Sequence, residues 1–460
     1  MLTKAEVLGL FDEFNHEIFI EPDWEFVIAF GLNGVGKTRF LELINAGMNF
    51  DLHKLAEVEF EKLTLTADSG KYITIEKSLE IRSSDESVPD AVVIYSLFDR
   101  RKKRLCPHWK ASAEYDPGFT RFLIRETPWV RVDGDYWQDT TDGEILHMKE
   151  LAERYNYIDR FPVGSGKGNP RPRLLQEFID EHPTYLIETQ RLGFPSALRS
   201  AAERRRGLVD VRSEASPKWT VDWYSRDLKR RIERALAQNS IESQRLDRTF
   251  PSRIMNQSVS EASSEAQIRA RHQEQNEQRA RLSSIGLTGG ESDLPLPAKE
   301  LENWQRAVLT TYLDDNATKL STFDELLGKI TLLEDLINRR FLRKRIRVSA
   351  DDGLQVISTT RGTVIPPKGL SSGEQHELVL MYNLLFRVRP GTLVLIDEPE
   401  ISLHVAWQMS FLDDVVRIAH SSEFRFIVAT HSPQIIDKWW SRTKQLGPGE
   451  EEEDAAVSER

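Results

Sequence analysis

Gly31-Leu32-Asn33-Gly34-Val35-Gly36-Lys37-Thr38 follows directly on the apolar run Phe26-Val27-Ile28-Ala29-Phe30. This completes the pattern G-x-x-x-x-G-K-[ST], whose glycines let the backbone turn tightly enough for its N–H groups to surround a β-phosphate. Lys37 is placed to reach the β- and γ-phosphates, and the Thr38 hydroxyl to ligate Mg2+. Such a loop works between a strand and a helix, and the flanks supply both. Phe26 to Phe30 reads as a buried strand, and Arg39-Phe40-Leu41-Glu42-Leu43-Ile44-Asn45 reads as a helix. The stretch predicts a nucleoside-triphosphate site built from Asn33, Gly34, Val35, Gly36, Lys37, Thr38 and Arg39.

Far downstream, Gly391-Thr392-Leu393-Val394-Leu395-Ile396-Asp397-Glu398-Pro399-Glu400 is an apolar strand ending in acid, the form of a Walker B element. Asp397 is expected to hold Mg2+ through water, and Glu398 to polarise the attacking water as general base. Phe424 to Thr430 is another strand, and its end delivers His431 to the edge where parallel sheets bind ligands, a place suited to sensing a γ-phosphate. Leu370-Ser371-Ser372-Gly373-Glu374-Gln375 opens a helical run from His376 to Phe386. Two readings apply to it: an anion site at a helix N-terminus, or a Ser371 to Glu374 capping box.

Composition bounds the remainder. The chain has 460 residues, enough for two or three domains, and 29% of them are charged, which suggests exposed charged helices. Cys106 is the only cysteine, which excludes a disulfide framework and any multi-cysteine zinc site and fits a reducing, cytoplasmic compartment. There is no apolar run long enough for a membrane span, and Met1-Leu2-Thr3-Lys4-Ala5-Glu6 lacks the pattern of a signal peptide, so no membrane partner is expected. With 62 Lys+Arg against 73 Asp+Glu the net charge is -11, so any nucleic-acid contact needs a local basic patch.

The order of the four elements, phosphate loop, L-S-x-G-E/Q, I-D-E-P and T-H-S-P, resembles the ABC-type ATPases, in particular their SMC, RecF and OLD-like branch. The resemblance implies an α/β fold, an ABC-type P-loop ATPase head with an antiparallel β-subdomain and a helical insertion, using ATP and Mg2+. It further implies head-to-head dimers in which the signature Ser371-Ser372-Gly373-Glu374 of one subunit closes on the γ-phosphate held by the other. Lys37 and Thr38 match the Walker A pair, Asp397 and Glu398 the Walker B pair, and His431 the switch histidine, while Ser402-Leu403-His404 falls at the D-loop. Gln190, at the end of Tyr185-Leu186-Ile187-Glu188-Thr189-Gln190, is the candidate glutamine-loop contact to Mg2+ and water. The signature departs from transporters, which prefer a second glycine and a glutamine.

The expected organisation is an N-terminal lobe at 1–195, a helical insertion at 196–345, a C-terminal lobe at 346–446 and an acidic disordered tail at 447–460. Period-two segments predict antiparallel strands at Glu57 to Ala67, Lys71 to Ile81, Ala91 to Phe98 and Trp129 to Asp135. The run Arg100-Arg101-Lys102-Lys103-Arg104 reads either as a solvated turn or as a contact for nucleic acid or an acidic protein. Gly164-Ser165-Gly166-Lys167-Gly168 imitates a phosphate loop but lacks its first glycine and final Ser or Thr, and reads as a loop. In the insertion, Phe250-Pro251-Ser252 and Leu294-Pro295-Leu296-Pro297 predict interruptions and hence short helices. Residues 261 to 281 are so polar that they are expected either to need a partner or to remain mobile. Strands are expected again at Arg345 to Ala350 and Gly353 to Ser358.

The signature, Walker B and switch segments are also similar to the stand-alone ATPases of bacterial anti-phage systems, the AriA kind of PARIS first and the PtuA kind of Septu next. That similarity implies a sensor and scaffold that holds or releases a separately encoded TOPRIM- or HNH-type nuclease, within head-to-head pairs or a larger ring. DNA or a phage trigger protein are further expected partners. No nuclease domain is expected in the chain. The alternative is a RecF-type DNA-repair ATPase that binds DNA as an ATP-dependent dimer; a regulator of translation would ordinarily carry two heads, and one phosphate loop is present.

Overall fold

The computed structural model describes residues 1–80, 90–112, 117–133, 136–141, 145–147, 151, 154–155, 171–188, 220–256, 263–287, 295–366, 369–401 and 403–447. Its chain divides into two units, Met1–Pro217 with Val388–Arg460, and Lys218–Arg387.

In the first unit a parallel sheet has the strand order Thr184–Glu188, Leu393–Asp397, Arg425–Thr430, Phe26–Phe30, Thr443–Gln445. Phe26 to Ala29 and all of Leu393–Asp397 are buried, as expected of parallel strands covered on both faces. A second, antiparallel sheet runs Phe14–Phe19, Leu2–Leu10, Lys62–Ala67, Tyr72–Glu80, Asp90–Phe98, Trp109–Ser112. Lys62–Ala67 alternates half-buried and buried residues, the signature of one face turned to a core. The helix Lys37–Asn49 shares one hydrophobic core with both sheets, and its Phe40, Leu41, Leu43 and Ile44 are fully buried, each contributing about 1.5–3 kcal/mol. Gly47 makes the close approach possible, because a Cβ there would come within 2.6 Å of Ile75 Cδ1. A smaller sheet of Trp129–Asp133, Tyr136–Asp139 and Ile145–His147 has its own core of Phe119, Leu123, Trp129, Trp137 and Leu151.

Several boundaries differ from those expected. Glu57 ends a short helix, Leu52–Glu57, started by the Asp51 carboxylate accepting from the Lys54 N–H, so the strand begins only at Lys62. The strand from Trp129 runs to Asp133 and pairs antiparallel with a further strand, Tyr136–Asp139.

In the second unit the helix Thr220–Asn256 is continuous for 37 residues and contains Pro251, where an interruption was expected. Proline near a helix end removes one backbone bond, here the one that would reach Asp247 O, and the helix runs on past it. Leu246 O accepts from Thr249 Oγ1 at 3.1 Å and from Arg253 at 3.0 Å, and Arg253 also forks onto the buried Asp315. The polar stretch expected to need a partner has one within the unit. Helix Glu265–Ser284, started by a Ser264/Gln267 capping box, packs on helix Asn303–Ser321 around Ile268, Leu301 and Leu313. Gln275, also buried, donates to Leu313 O at 2.8 Å. The antiparallel strands Lys344–Ser349 and Gly353–Ser358 and the helix Ser372–Phe386 belong to this unit, so it extends past the boundary expected at residue 345. The reason lies in packing: Gly353–Ser358 and Ser372–Phe386 both contact Thr220–Asn256, with Tyr382 donating to Asp227 at 2.8 Å and Tyr224 to Asn383 at 3.0 Å.

Candidate functional site

The parallel sheet assembles the site by register. Asp397 stands opposite Ala429 and Thr430 opposite Phe30, so three neighbouring strands end at one edge. The next residues of those strands are Glu398, His431 and Gly31. A cleft of about 450 Å³ lies there, lined by Phe11, Asn33, Gly34, Gly36, Lys37, Thr38, Arg39, Glu398, Ile401 and His431.

Gly36 is the N-cap of Lys37–Asn49 with φ 86°, a conformation suited to glycine, and no side chain caps this helix end. The N–H groups of its first turn are therefore available to an anion, with the helix dipole behind them. Gly31 is required for a different reason: a Cβ would meet Leu446 O at 2.4 Å. Lys37 is 5% exposed, and its ammonium donates to Gly31 O and Leu32 O, both at 2.8 Å. Burial lowers its pKa, against the opposing pull of Glu398, Asp397 and Glu400. Arg39 is tied to the buried Glu42 at 2.8 Å, and Glu42 also pairs with Lys54 at 3.0 Å.

Thr38 Oγ1 donates to Asp397 Oδ1 at 3.1 Å. A hydroxyl and a carboxylate side by side are hard oxygen donors of the kind that suits Mg2+ beside a phosphate chain. Burial pushes the Asp397 carboxyl up to about 7, opposed by the Thr38 bond and reinforced by Glu398, Glu42 and Glu400. The donor set fits the metal, which when bound would neutralise phosphate charge and favour the ionised Asp397. Glu398 has φ 43°, in the left-handed region that costs a non-glycine residue about 1–2 kcal/mol, and its N–H donates to Ala429 O at 2.8 Å. A strained backbone at this position is what functional sites tolerate.

The sequence did not mark Glu400. Its carboxylate is buried, and Oε1 accepts from Thr430 Oγ1 at 2.7 Å and from the His431 N–H at 3.0 Å. His431 Nδ1 lies 3.2 Å from that same oxygen and 3.9 Å from Glu398 Oε1. Glu400 thereby orients the imidazole and assigns the hydrogen to Nδ1, leaving Nε2 for a ligand. The available signal was the second acid of Asp397-Glu398-Pro399-Glu400. Phe11 and Ile401, which give the cleft apolar walls, carried no motif at all; Phe11 sits in a turn at φ 56°.

The structure brings together Asn33, Gly34, Gly36, Lys37, Thr38, Arg39, Asp397, Glu398 and His431 at or beside this cleft, and Val35 turns its buried side chain to the core. Ser371, Ser372, Gly373 and Glu374 belong to the second unit. There the capping box forms: the Glu374 N–H donates to Ser371 Oγ at 3.3 Å and the Ser371 N–H to Glu374 Oε2 at 2.7 Å, with Lys344 pairing to Glu374 at 2.7 Å. Ser371 and Glu374 thus serve the cap, while Ser372 is exposed. Gln190, Ser402 and the loop Gly164 to Gly168 lie outside the described residues.

A family model described as "AAA domain, putative AbiEii toxin, Type IV TA system" matches residues 145–437, more than half of the chain, and the chain belongs to that family. With its phosphate loop, which precedes the matched region, it is a P-loop ATPase of the AAA kind. Among solved structures, the Smc head domain with an extended coiled coil bound to the C-terminal domain of ScpA from Pyrococcus furiosus is similar at 13% identity, covering 100% of this chain and 98% of that one with a TM-score of 0.34. The SmcHead bound to the C-winged helix domain of ScpA is similar at 11% identity, covering 97% and 94% with a TM-score of 0.33. No curated protein matches. Among the described residues no helix is long and apolar enough to cross a membrane.

Proposed function

We propose that the chain binds and hydrolyses ATP with Mg2+ and uses that cycle as the sensor and scaffold of an anti-phage defence complex, holding or releasing a separately encoded TOPRIM- or HNH-type nuclease. The observation that carries the ATPase reading is the convergence of Lys37, Thr38, Asp397, Glu398 and the Glu400-held His431 on one sheet edge. The defence reading is supported by the family description, which names a toxin of a type IV toxin–antitoxin system. The resemblance to AriA-type and PtuA-type ATPases supports it too.

A RecF-type DNA-binding role has one observation in its favour. Arg100, Arg101, Lys102, Lys103 and Arg104 form an exposed turn, held because Asp99 Oδ1 accepts from the backbone N–H groups of Arg101 at 2.9 Å and Lys103 at 2.8 Å. Co-expression with the neighbouring gene product, followed by purification and mass measurement, separates the two readings. A stoichiometric complex with a nuclease is expected. Isolation without it, accompanied by salt-sensitive duplex DNA binding that charge removal at Arg101 and Lys103 abolishes, would favour the RecF reading instead.

The signature is proposed to act in trans, in a head-to-head pair of chains, through the exposed Ser372 at the start of its helix. A Lys37→Ala chain and a Ser372→Arg chain, each inactive alone, are expected to recover about a quarter of the wild-type ATPase rate after random exchange, because half the pairs are mixed and each mixed pair has one intact composite site. Mass measurement of the mixture verifies exchange. No recovery between exchanging subunits rejects a trans signature.

A further inference from the structure

His16 lies on the strand Phe14–Phe19 of the antiparallel sheet and is 2% exposed. Its Nε2 is 2.6 Å from the carbonyl oxygen of Val35, inside the phosphate loop. A carbonyl only accepts, so the ring carries its hydrogen on Nε2 and donates. The imidazole stacks on Phe14 with ring centroids 5.8 Å apart and leans on Phe40, at the same separation, on the phosphate-loop helix. Burial lowers its pKa and keeps the ring neutral.

The position of this bond matters more than its presence. Val35 stands between Gly34 at φ 92° and Gly36 at φ 86°, two residues whose backbone freedom would otherwise leave the intervening peptides loosely oriented. A trans peptide is planar, with C=O and N–H pointing to opposite sides. Holding the Val35 carbonyl toward His16 therefore turns the Gly36 N–H the other way, and Gly36 lines the cleft.

We propose that His16 is a positioning residue of the phosphate loop, fixing the Val35–Gly36 peptide so that its N–H faces the β-phosphate of the bound nucleotide. The inference rests on the nucleotide-binding reading of this cleft. It requires the donor and not merely the ring.

Glutamine and methionine are similar in length and shape, and only glutamine has an N–H to offer. In the full chain, His16→Gln is expected to hold ATP and ADP within about threefold of wild type, whereas His16→Met, which leaves a buried carbonyl without its donor, weakens both about tenfold. Isothermal titration measures the affinities, and thermal melting establishes that both variants are folded at the assay temperature. ATP and ADP should weaken alike because both carry a β-phosphate. Equal affinities in the two folded variants, or a loss confined to ATP, would overturn the assignment. If the wild-type chain itself binds neither nucleotide, the reading of the cleft fails and the role of His16 toward a β-phosphate falls with it, whereas normal wild-type binding with equal affinities in the two variants overturns the role of His16 alone.

Discussion

Lys37→Ala is expected to raise the dissociation constant for ATP about 100-fold or more, roughly 3 kcal/mol, while leaving the protein at least as stable as before. The two halves of that expectation have separate causes. Affinity falls because the ammonium is a point charge aimed along the phosphate chain, and charge-assisted bonds to phosphate are the stronger class of hydrogen bond. Stability is spared because the lysine is held at a cost. Its pKa is lowered in the folded protein, so burial outweighs the attraction of Glu398, Asp397 and Glu400, and the charged form opposes folding at neutral pH. Alanine removes that opposition together with bonds to the carbonyls of Gly31 and Leu32. Titration calorimetry reads the affinity. Melting with and without Mg2+-ATP reads the rest, because ligand binding to the native state alone raises the melting temperature and the variant should lose that rise. Binding within tenfold of wild type would remove Lys37 from the phosphate site.

The core of the site was legible in the sequence because each of its motifs is contiguous and ends an apolar strand. Lys37 with Thr38, Asp397 with Glu398, and His431 each follow such a strand, and parallel register then aligns the strand ends. Glu400 and His16 were not legible, since what they do depends on partners distant in the chain: Thr430 and His431 for one, Val35 for the other. The strand Leu2–Leu10 escaped because its pairing shifts between Val7 and Leu10 on one side and between Leu2 and Lys4 on the other, which breaks the simple alternation of a strand. Helix Glu265–Ser284 was underestimated for a related reason. It buries Ile268, Gln275 and Leu282, one residue every second turn, too narrow a stripe to register as amphipathic.

Glu398→Gln is expected to slow ATP hydrolysis about 10²–10⁴-fold, the usual contribution of a positioned general base, while ATP remains bound as tightly as in wild type or more so. The amide preserves size and hydrogen-bonding reach but does not take a proton from water, and it removes one negative charge from beside the phosphates. Loss of that charge also weakens the pull on Lys37 and relieves part of the upward push on the Asp397 carboxyl. His431 keeps its shorter contact, to Glu400 at 3.2 Å against 3.9 Å to Glu398, and the Glu398 N–H to Ala429 bond belongs to the backbone. Single-turnover hydrolysis together with equilibrium binding gives both quantities, and hydrolysis at the wild-type rate would exclude Glu398 as the base. Glu398→Gly then isolates the strain. Glutamine keeps the φ of 43° with its cost of about 1–2 kcal/mol, whereas glycine adopts that angle freely and gives back roughly 0.5–1 kcal/mol of that advantage through greater chain entropy when unfolded. The glycine variant should hydrolyse as slowly as the glutamine variant yet melt at the same or a slightly higher temperature, though it loses more side-chain contact. If glycine melts lower than glutamine, the left-handed backbone at Glu398 is not a strain that the protein carries for the sake of its carboxylate.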